Sequence, residues 1–261
     1  MAATLLESEP VPGIVRLALN RPEQRNALDA ALIEALHEAV LRHGARAATR
    51  VLLIGAEGSA FCAGADLNAM LALGRGQRET NVADAGRLAS LLLALRDCPK
   101  PSIAVVQGPA FGGGMGLAAA CDIAVGSVEA RFRLPEVQLG LVPAVISPYV
   151  LEAIGLRNAR RYFLTGEPIG AERARELGLL HAVVAAADLA AEALRLAREV
   201  VQGGPHALAE CKRLLTDVAH RGPGPGLAGA TAEWLATLRE GAEAQEGVEA
   251  ALGRRAPRWR A

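Results

Sequence analysis

"KPSIAVVQGPAFGGGMGLAAACDIAV", residues 100–125, is the stretch that decides the fold. Its middle, "GPAFGGGMG" (108–116), holds five glycines in nine residues. Glycine weakens both helix and strand, so such density implies close approach of something to the bare backbone. Residues 101–121 carry no charge and have about the length of a membrane span. Gly108, Pro109 and Gly112–Gly114 interrupt it, however, and the stretch divides into a buried strand ("SIAVVQ"), a loop, a short small-residue helix and a second strand ("CDIAV").

The same alternation continues on both sides. "IVRLALN" (14–20) and "RVLLIGAEG" (50–58) read as strands, with the polar loop "RPEQRN" (21–26) after the first. "ALDAALIEALHEAVLRHG" has helical periodicity, with Asn26 as the expected N-cap and Gly44 as the expected C-cap. "FCAGADL" (61–67) is a loop, and "NVADAGRLASLLLALRDC" (81–98) is a helix that stops before Pro99. Residues 159–184 read as helix, turn, short helix and strand. Residues 187–252 are mostly helical, broken at "RGPGPG" (221–226) and ended by Pro257. Strands alternating with helices predict an α/β core over residues 1–200. A helical region over 201–261 would pack on that core or on another subunit.

Composition narrows the function. The chain has 261 residues, 51% of them hydrophobic and 21% charged, which suits a large buried core and excludes disorder. Lys+Arg and Asp+Glu both number 28, so no basic field exists to attract nucleic acid or an anionic membrane. Cys62, Cys98, Cys121 and Cys211 form no CxxC pair, which predicts neither a disulfide framework nor a zinc site and fits a reducing cytoplasm. His37, His43, His181, His206 and His220 show no metal-ligand spacing. The N-terminal "MAATLLESEP" lacks the basic start of a signal peptide. Ser59, Ser127 and Ser147 lie in no GxSxG frame.

The glycine loop has two chemical readings. Gly114–Ala119 fits the GxGxxA dinucleotide fingerprint, with Glu136 about 20 residues on. The following helix has room only for about Gly113–Cys121, and Glu136 follows "FRLP" instead of ending a second strand. The alternative is an oxyanion site: glycines at a helix start leave N–H groups unspent and add the positive end of the helix dipole. "FCAGADL" also follows a strand and exposes small residues, so each loop could supply one N–H to the same oxygen.

The sequence resembles the crotonase (enoyl-CoA hydratase/isomerase) superfamily over nearly its whole length. "LNRPEQRNAL" (19–28), "FCAGADL", residues 100–125, "FRLPEVQLGLVPA" (132–144) and "RRYFLTGEPIGAERARELGLLHAVV" (160–184) carry the resemblance, in order. It implies an α/β spiral of β-β-α turns, a C-terminal helical trimerisation region, a homotrimer or homohexamer, and acyl-CoA thioester substrates with no separate cofactor. Ala65 and Gly113 match the two oxyanion-hole positions. Glu136 matches one of two acid/base carboxylates, and the second would stand at Gly116. By the same resemblance Arg25, Ala27, Ala63, Asp66, Leu67, Gly112 and Gly116 are expected to contact substrate. Asp66 reads as a loop organiser and not as an acid; Arg21 and Arg25 are candidate partners of CoA phosphates.

"NVADAGRLASLL", "FGGGMGL" and "LGLVPAVISPYVLEAIG" are further similar to bacterial methylglutaconyl-CoA and isohexenylglutaconyl-CoA hydratases. That implies a branched substrate with a second carboxylate, which could take part in proton handling or be held by a basic or polar side chain. Asn81 and Asp84 lie in the similar segment with Arg87 one turn away, and their plainer reading is a solvated helix face. Three activities remain open: a 2-enoyl-CoA hydratase, a Δ3,Δ2-enoyl-CoA isomerase using Glu136 alone, and a weakly catalytic acyl-CoA binding protein.

Overall fold

The computed structural model describes residues 3–219 and 221–260. The main sheet begins with an antiparallel pair, β1 (Leu5–Val11) and β2 (Ile14–Leu19), and continues in parallel through β3 (Val51–Ala56), β4 (Ser102–Val106), β6 (Ile123–Ser127) and β9 (Ala182–Val184). A second sheet joins β5 (Pro109–Phe111), β7 (Arg131–Arg133) and β8 (Ile169–Gly170), with β5 and β7 parallel. The main-sheet order is sequential. It never reverses, so it lacks the switch point at which a dinucleotide-binding sheet holds its cofactor.

The helices are α1 (Ala30–Ala45), α2 (Leu67–Gly74), α3 (Arg78–Asp97), α4 (Gly113–Ala120), α5 (Ser147–Thr165), α6 (Ala171–Glu176), α7 (Leu189–Val200), α8 (Pro205–Ala219), α9 (Pro225–Glu240) and α10 (Ala242–Leu252). Period-two alternation divides the main sheet between two cores. Val15, Leu17, Leu19, Leu52, Ile54, Ala104 and Val106 face one side, where they meet Leu32 and Leu36 of α1, Leu91, Leu92 and Leu95 of α3, Met115 and Leu117 of α4, and Val150 of α5. Ile14, Val51, Leu53, Ile103 and Val125 face the other, covered by Leu189, Ala193 and Ala197 of α7. The three-stranded sheet contributes Ala110, Phe132 and Ile169 to the first core.

Several local expectations change. α1 starts at Ala30, with Asp29 as its N-cap accepting from Leu32 N–H at 2.9 Å, and Gly44 lies within the helix. Asn26 has a different task, described below. The short strands β5, β7 and β8 carry too little periodicity to be seen in the sequence. The loop expected at 61–67 runs directly into α2. His220 lies outside the described residues. Arg50 reaches from the start of β3 to the carbonyls of Val201, Gly203 and Trp259, so it ties the chain after α7 and the C-terminal turn to the core.

Candidate active site

Three parallel segments end side by side. Cys62 pairs with Ala110 of β5 through Cys62 N–H to Pro109 O (3.0 Å) and Phe111 N–H to Cys62 O (2.9 Å). On its other edge β5 pairs with β7, register Ala110 to Phe132. Three or four residues beyond this row stand Ala65, Gly113 and Glu136. Parallel pairing therefore carries the three sequence-predicted residues to one edge, at the carboxyl ends of strands, where ligands of α/β proteins collect.

Each approach depends on a missing side chain. A Cβ on Gly64, at φ +96, would press 3.1 Å from Phe111 O, and one on Gly114 would sit 2.8 Å from Cys62 Cβ. These two glycines let the Ala65 loop lie flat against the start of α4. Gly112, at φ +46, donates its N–H to Arg133 O at 2.9 Å, which ties the start of α4 to β7.

The backbone donors follow from this pairing. Leu28 donates to Gly64 O (2.8 Å) and accepts from Asp66 N–H (3.3 Å), so both its hydrogen bonds go to the residues flanking Ala65. Ala65 N–H is left without an acceptor among the described residues. Gly113 is the first residue of α4, and its N–H has no intrahelical acceptor. The helix dipole adds positive potential at that point.

Glu136 opens a 3-10 turn, Glu136–Leu139, directly after β7. Arg133 steadies this turn through Gly166 O (2.7 Å) and Gln138 Oε1 (2.6 Å). The Glu136 side chain is half-buried, and its Oε2 is enclosed with no hydrogen-bond partner. Its Oε1 stands where a side chain on Gly112 would begin, 2.8 Å from that absent Cβ. Burial pushes the Glu136 carboxyl above the usual carboxylate range, only partly opposed by a hydrogen bond from its own backbone. A carboxylate with one enclosed, unpartnered oxygen, on the same edge as two unspent N–H groups, can move a proton while a developing oxyanion is held. Cys62, beneath this edge, is not a competing nucleophile, since burial pushes its thiol up to about 12.

Gly116 is not an acid position with the acid cut away. It is buried, and a Cβ there would lie 2.6 Å from Ile146 Cβ and closer still to Ile146 Cγ2. Ile146, at the start of α5, fills the space that a longer residue at 116 would need. The sequence points to the missing carboxylate but not to the side chain that replaces it.

The remaining predicted residues are arranged around this edge. Asp66 caps α2, accepting from Asn68 and Ala69 N–H at 2.9 and 3.0 Å. Leu67 begins that helix and is exposed. Ala63 N–H donates to Arg25 O at 2.9 Å, and Ala27 O is occupied by the Arg21 guanidinium. Arg21 also pairs with Asp29 at 2.8 Å and bonds Gln24, so its charge is committed within the loop. Arg25 is exposed, with a left-handed φ of 52°. Arg87 pairs with Glu34 (2.9 Å) and Asp84 (3.3 Å). No group of His, Cys, Asp or Glu suited to a metal ion occurs among the described residues.

Comparison with known proteins gives one consistent result. Residues 10–261 match the family model described as enoyl-CoA hydratase/isomerase. The chain is 33% identical to the mevalonyl-coenzyme A hydratase sidH of Aspergillus fumigatus over 98% of its own length and 94% of that protein. The crystal structure of an enoyl-CoA hydratase from Shewanella pealeana superimposes with a TM-score of 0.94 at 38% identity, covering 98% of this chain and 96% of that one. Pseudomonas aeruginosa AtuE superimposes at 0.92 with 34% identity, covering 98% and 99%.

Proposed function

The chain belongs to the enoyl-CoA hydratase/isomerase (crotonase) family, and from that premise we propose that it hydrates a 2-enoyl-CoA to the 3-hydroxyacyl-CoA. One observation carries the proposal: the Glu136 carboxylate, whose buried Oε2 has no hydrogen-bond partner, shares an edge with the unspent N–H groups of Ala65 and Gly113. In this reading both N–H groups donate to the thioester oxygen. Glu136 removes a proton from water as the water oxygen bonds to C3, and the double-bond electrons move to the thioester oxygen. The same carboxyl group then returns the proton to C2, and the thioester carbonyl re-forms. One carboxylate serves both steps because Gly116 supplies no second one. These steps use no metal or redox cofactor; coenzyme A is part of the substrate.

A branched acyl group of the methylglutaconyl type is the finer substrate reading. It is supported by the similarity of residues 81–92 and 139–155 to hydratases of that kind. The relative named as a mevalonyl-coenzyme A hydratase also carries a branched acyl name. A second reading, Δ3,Δ2-enoyl-CoA isomerisation, is favoured by the Ile146 packing at Gly116, because moving a proton between C2 and C4 needs only one carboxylate. Incubating the protein with crotonyl-CoA, a 3-enoyl-CoA and 3-methylglutaconyl-CoA, with products resolved by mass spectrometry, separates these readings. Water addition to 3-methylglutaconyl-CoA at the highest kcat/KM is the expected result. Conversion of the 3-enoyl-CoA alone would replace hydration with isomerisation, and binding without turnover would leave only an acyl-CoA carrier.

The assembly we propose is a homotrimer or homohexamer. α8 and α9 bury none of their described residues, while Leu215, Leu235, Val248 and Leu252 are exposed on the C-terminal helices. Light scattering of the purified protein gives the subunit count. A cytoplasmic location is supported by the four cysteines, all free. No helix among the described residues is long and apolar enough to cross a membrane.

A further inference from the structure

We propose that Asn26 is a positioning residue for the oxyanion site: its buried amide sets the 21–28 loop so that Ala65 N–H faces the substrate with no internal partner. The inference deepens the hydratase reading and rests on it, because it gives a task to a residue that touches no substrate.

Asn26 is fully buried, and every polar atom of its side chain is used. Oδ1 accepts from Arg21 N–H at 2.8 Å, and Nδ2 donates to Glu57 O and to Ala60 O, each at 2.8 Å. Gln107 Nε2, at the end of β4, donates to the same Ala60 O at 3.1 Å. Two side-chain amides thus converge on one carbonyl, joining the 21–28 loop to the chain leaving β3 and to the strand that leads into the glycine loop.

The backbone around Asn26 is equally specified. Arg25 and Asn26 hold consecutive left-handed conformations, φ 52° and 55°. Asn adopts this conformation at lower cost than most residues, and a buried hydrogen-bonded amide can hold the less suited Arg25 in it. The two bends aim Arg25 O at Ala63 N–H and bring Leu28 against Gly64 and Asp66. Residues on both sides of Ala65 are therefore fastened to the segment that Asn26 anchors, and Ala65 itself is not. Loss of the amide releases that segment, and the Ala65 donor moves while Gly113, on α4, stays. A displacement of about 1 Å at a reacting centre costs on the order of 10²-fold in rate.

The test uses para-dimethylaminocinnamoyl-CoA, whose absorbance shifts to the red when donors polarise its thioester carbonyl. Asn26→Gly removes the amide and keeps the left-handed backbone accessible. The expected result is a bound spectrum that loses a large part of the wild-type red shift, with kcat lower by about 10²-fold and KM changed far less. A folded Asn26→Gly protein with the full red shift and unchanged kcat overturns the proposal. If Asn26→Gly does not fold, Asn26→Asp carries the same comparison: it keeps the acceptor for Arg21 N–H and loses the donors to Glu57 and Ala60. A wild-type protein that binds the probe without any red shift overturns the oxyanion reading itself, and this proposal with it.

Discussion

Gly112 and Gly116 stand one helical turn apart, joined by the Gly116 N–H to Gly112 O hydrogen bond of 3.1 Å, and they are glycines for opposite reasons. At Gly112 the missing side chain leaves room for Glu136 Oε1, the polar group of the proposed reaction. At Gly116 the missing side chain is replaced by Ile146, a packing contact that closes the wall. A glycine-rich loop is thus not one device. Its first part leaves room for the carboxylate of the proposed reaction, and its last part serves the core. The apolar filling at Gly116 leaves no room there for a second carboxylate, and the most informative experiments are those that push this contrast at either end.

The largest effect should follow from Glu136→Gln, which keeps the shape and removes the proton carrier. Turnover of the preferred enoyl-CoA is expected to fall by about 10²–10⁴-fold, with binding of the product CoA ester little changed by calorimetry. Full activity in this variant would remove Glu136 from the mechanism and, with it, the special status of Gly112.

Alanine at each glycine comes next and should divide activity from stability. Gly112→Ala places a methyl group on Glu136 Oε1 and forces φ +46 on a side-chain-bearing residue. Turnover is expected to drop by about 10²-fold through displacement of the carboxylate. Gly116→Ala is expected to cost about 1–3 kcal/mol of stability through overpacking, with a smaller loss of turnover. Denaturant unfolding of Gly116→Ala, Ile146→Ala and the double variant makes the cause visible. The double variant should be more stable than the sum of the single losses predicts, by about 0.5–3 kcal/mol. Strict additivity would mean that Ile146 does not own the space at Gly116.

The same contrast explains how much the sequence disclosed. Strands such as Ile14–Leu19 and Val51–Ala56 bury nearly every residue, so continuous apolar runs announced them. The glycine triplet announced a helix start with free N–H groups. What stayed hidden depends on contacts between distant segments. Asn26 looked like a helix cap because Asn and Asp are interchangeable there, yet Asp29 holds that place and Asn26 is a buried strut bonded to residues 31 and 34 positions away. The Arg87–Glu34 ion pair joins two helices and so leaves no local signal in the sequence. The three-residue strands β5 and β7 are too short for a periodic signal, although their pairing places Gly112 beside Glu136.

The smallest expected effect concerns stability and links the Glu136 carboxylate to pH. Burial raises its folded-state pKa above the unfolded value, so the native protein binds a proton more tightly than the unfolded chain does. By linkage, stability then falls as pH rises from the unfolded pKa, about 4.3, through the higher folded value, and levels off above it. Above that folded value the wild type carries this penalty, and Glu136→Gln does not. The melting temperature of the variant relative to the wild type should therefore rise as pH climbs above the ordinary carboxylate range, and that gain should fade as pH falls well below about 4, where Glu136 is protonated in both states. Activity should run the other way, rising with pH along a limb that lies above the ordinary carboxylate range, because only the ionised form can take a proton from water. A Glu136→Gln protein less stable than wild type at neutral pH would mean that the carboxylate has a stabilising partner beyond its own backbone, and the difference between the two ends of the glycine loop would narrow accordingly.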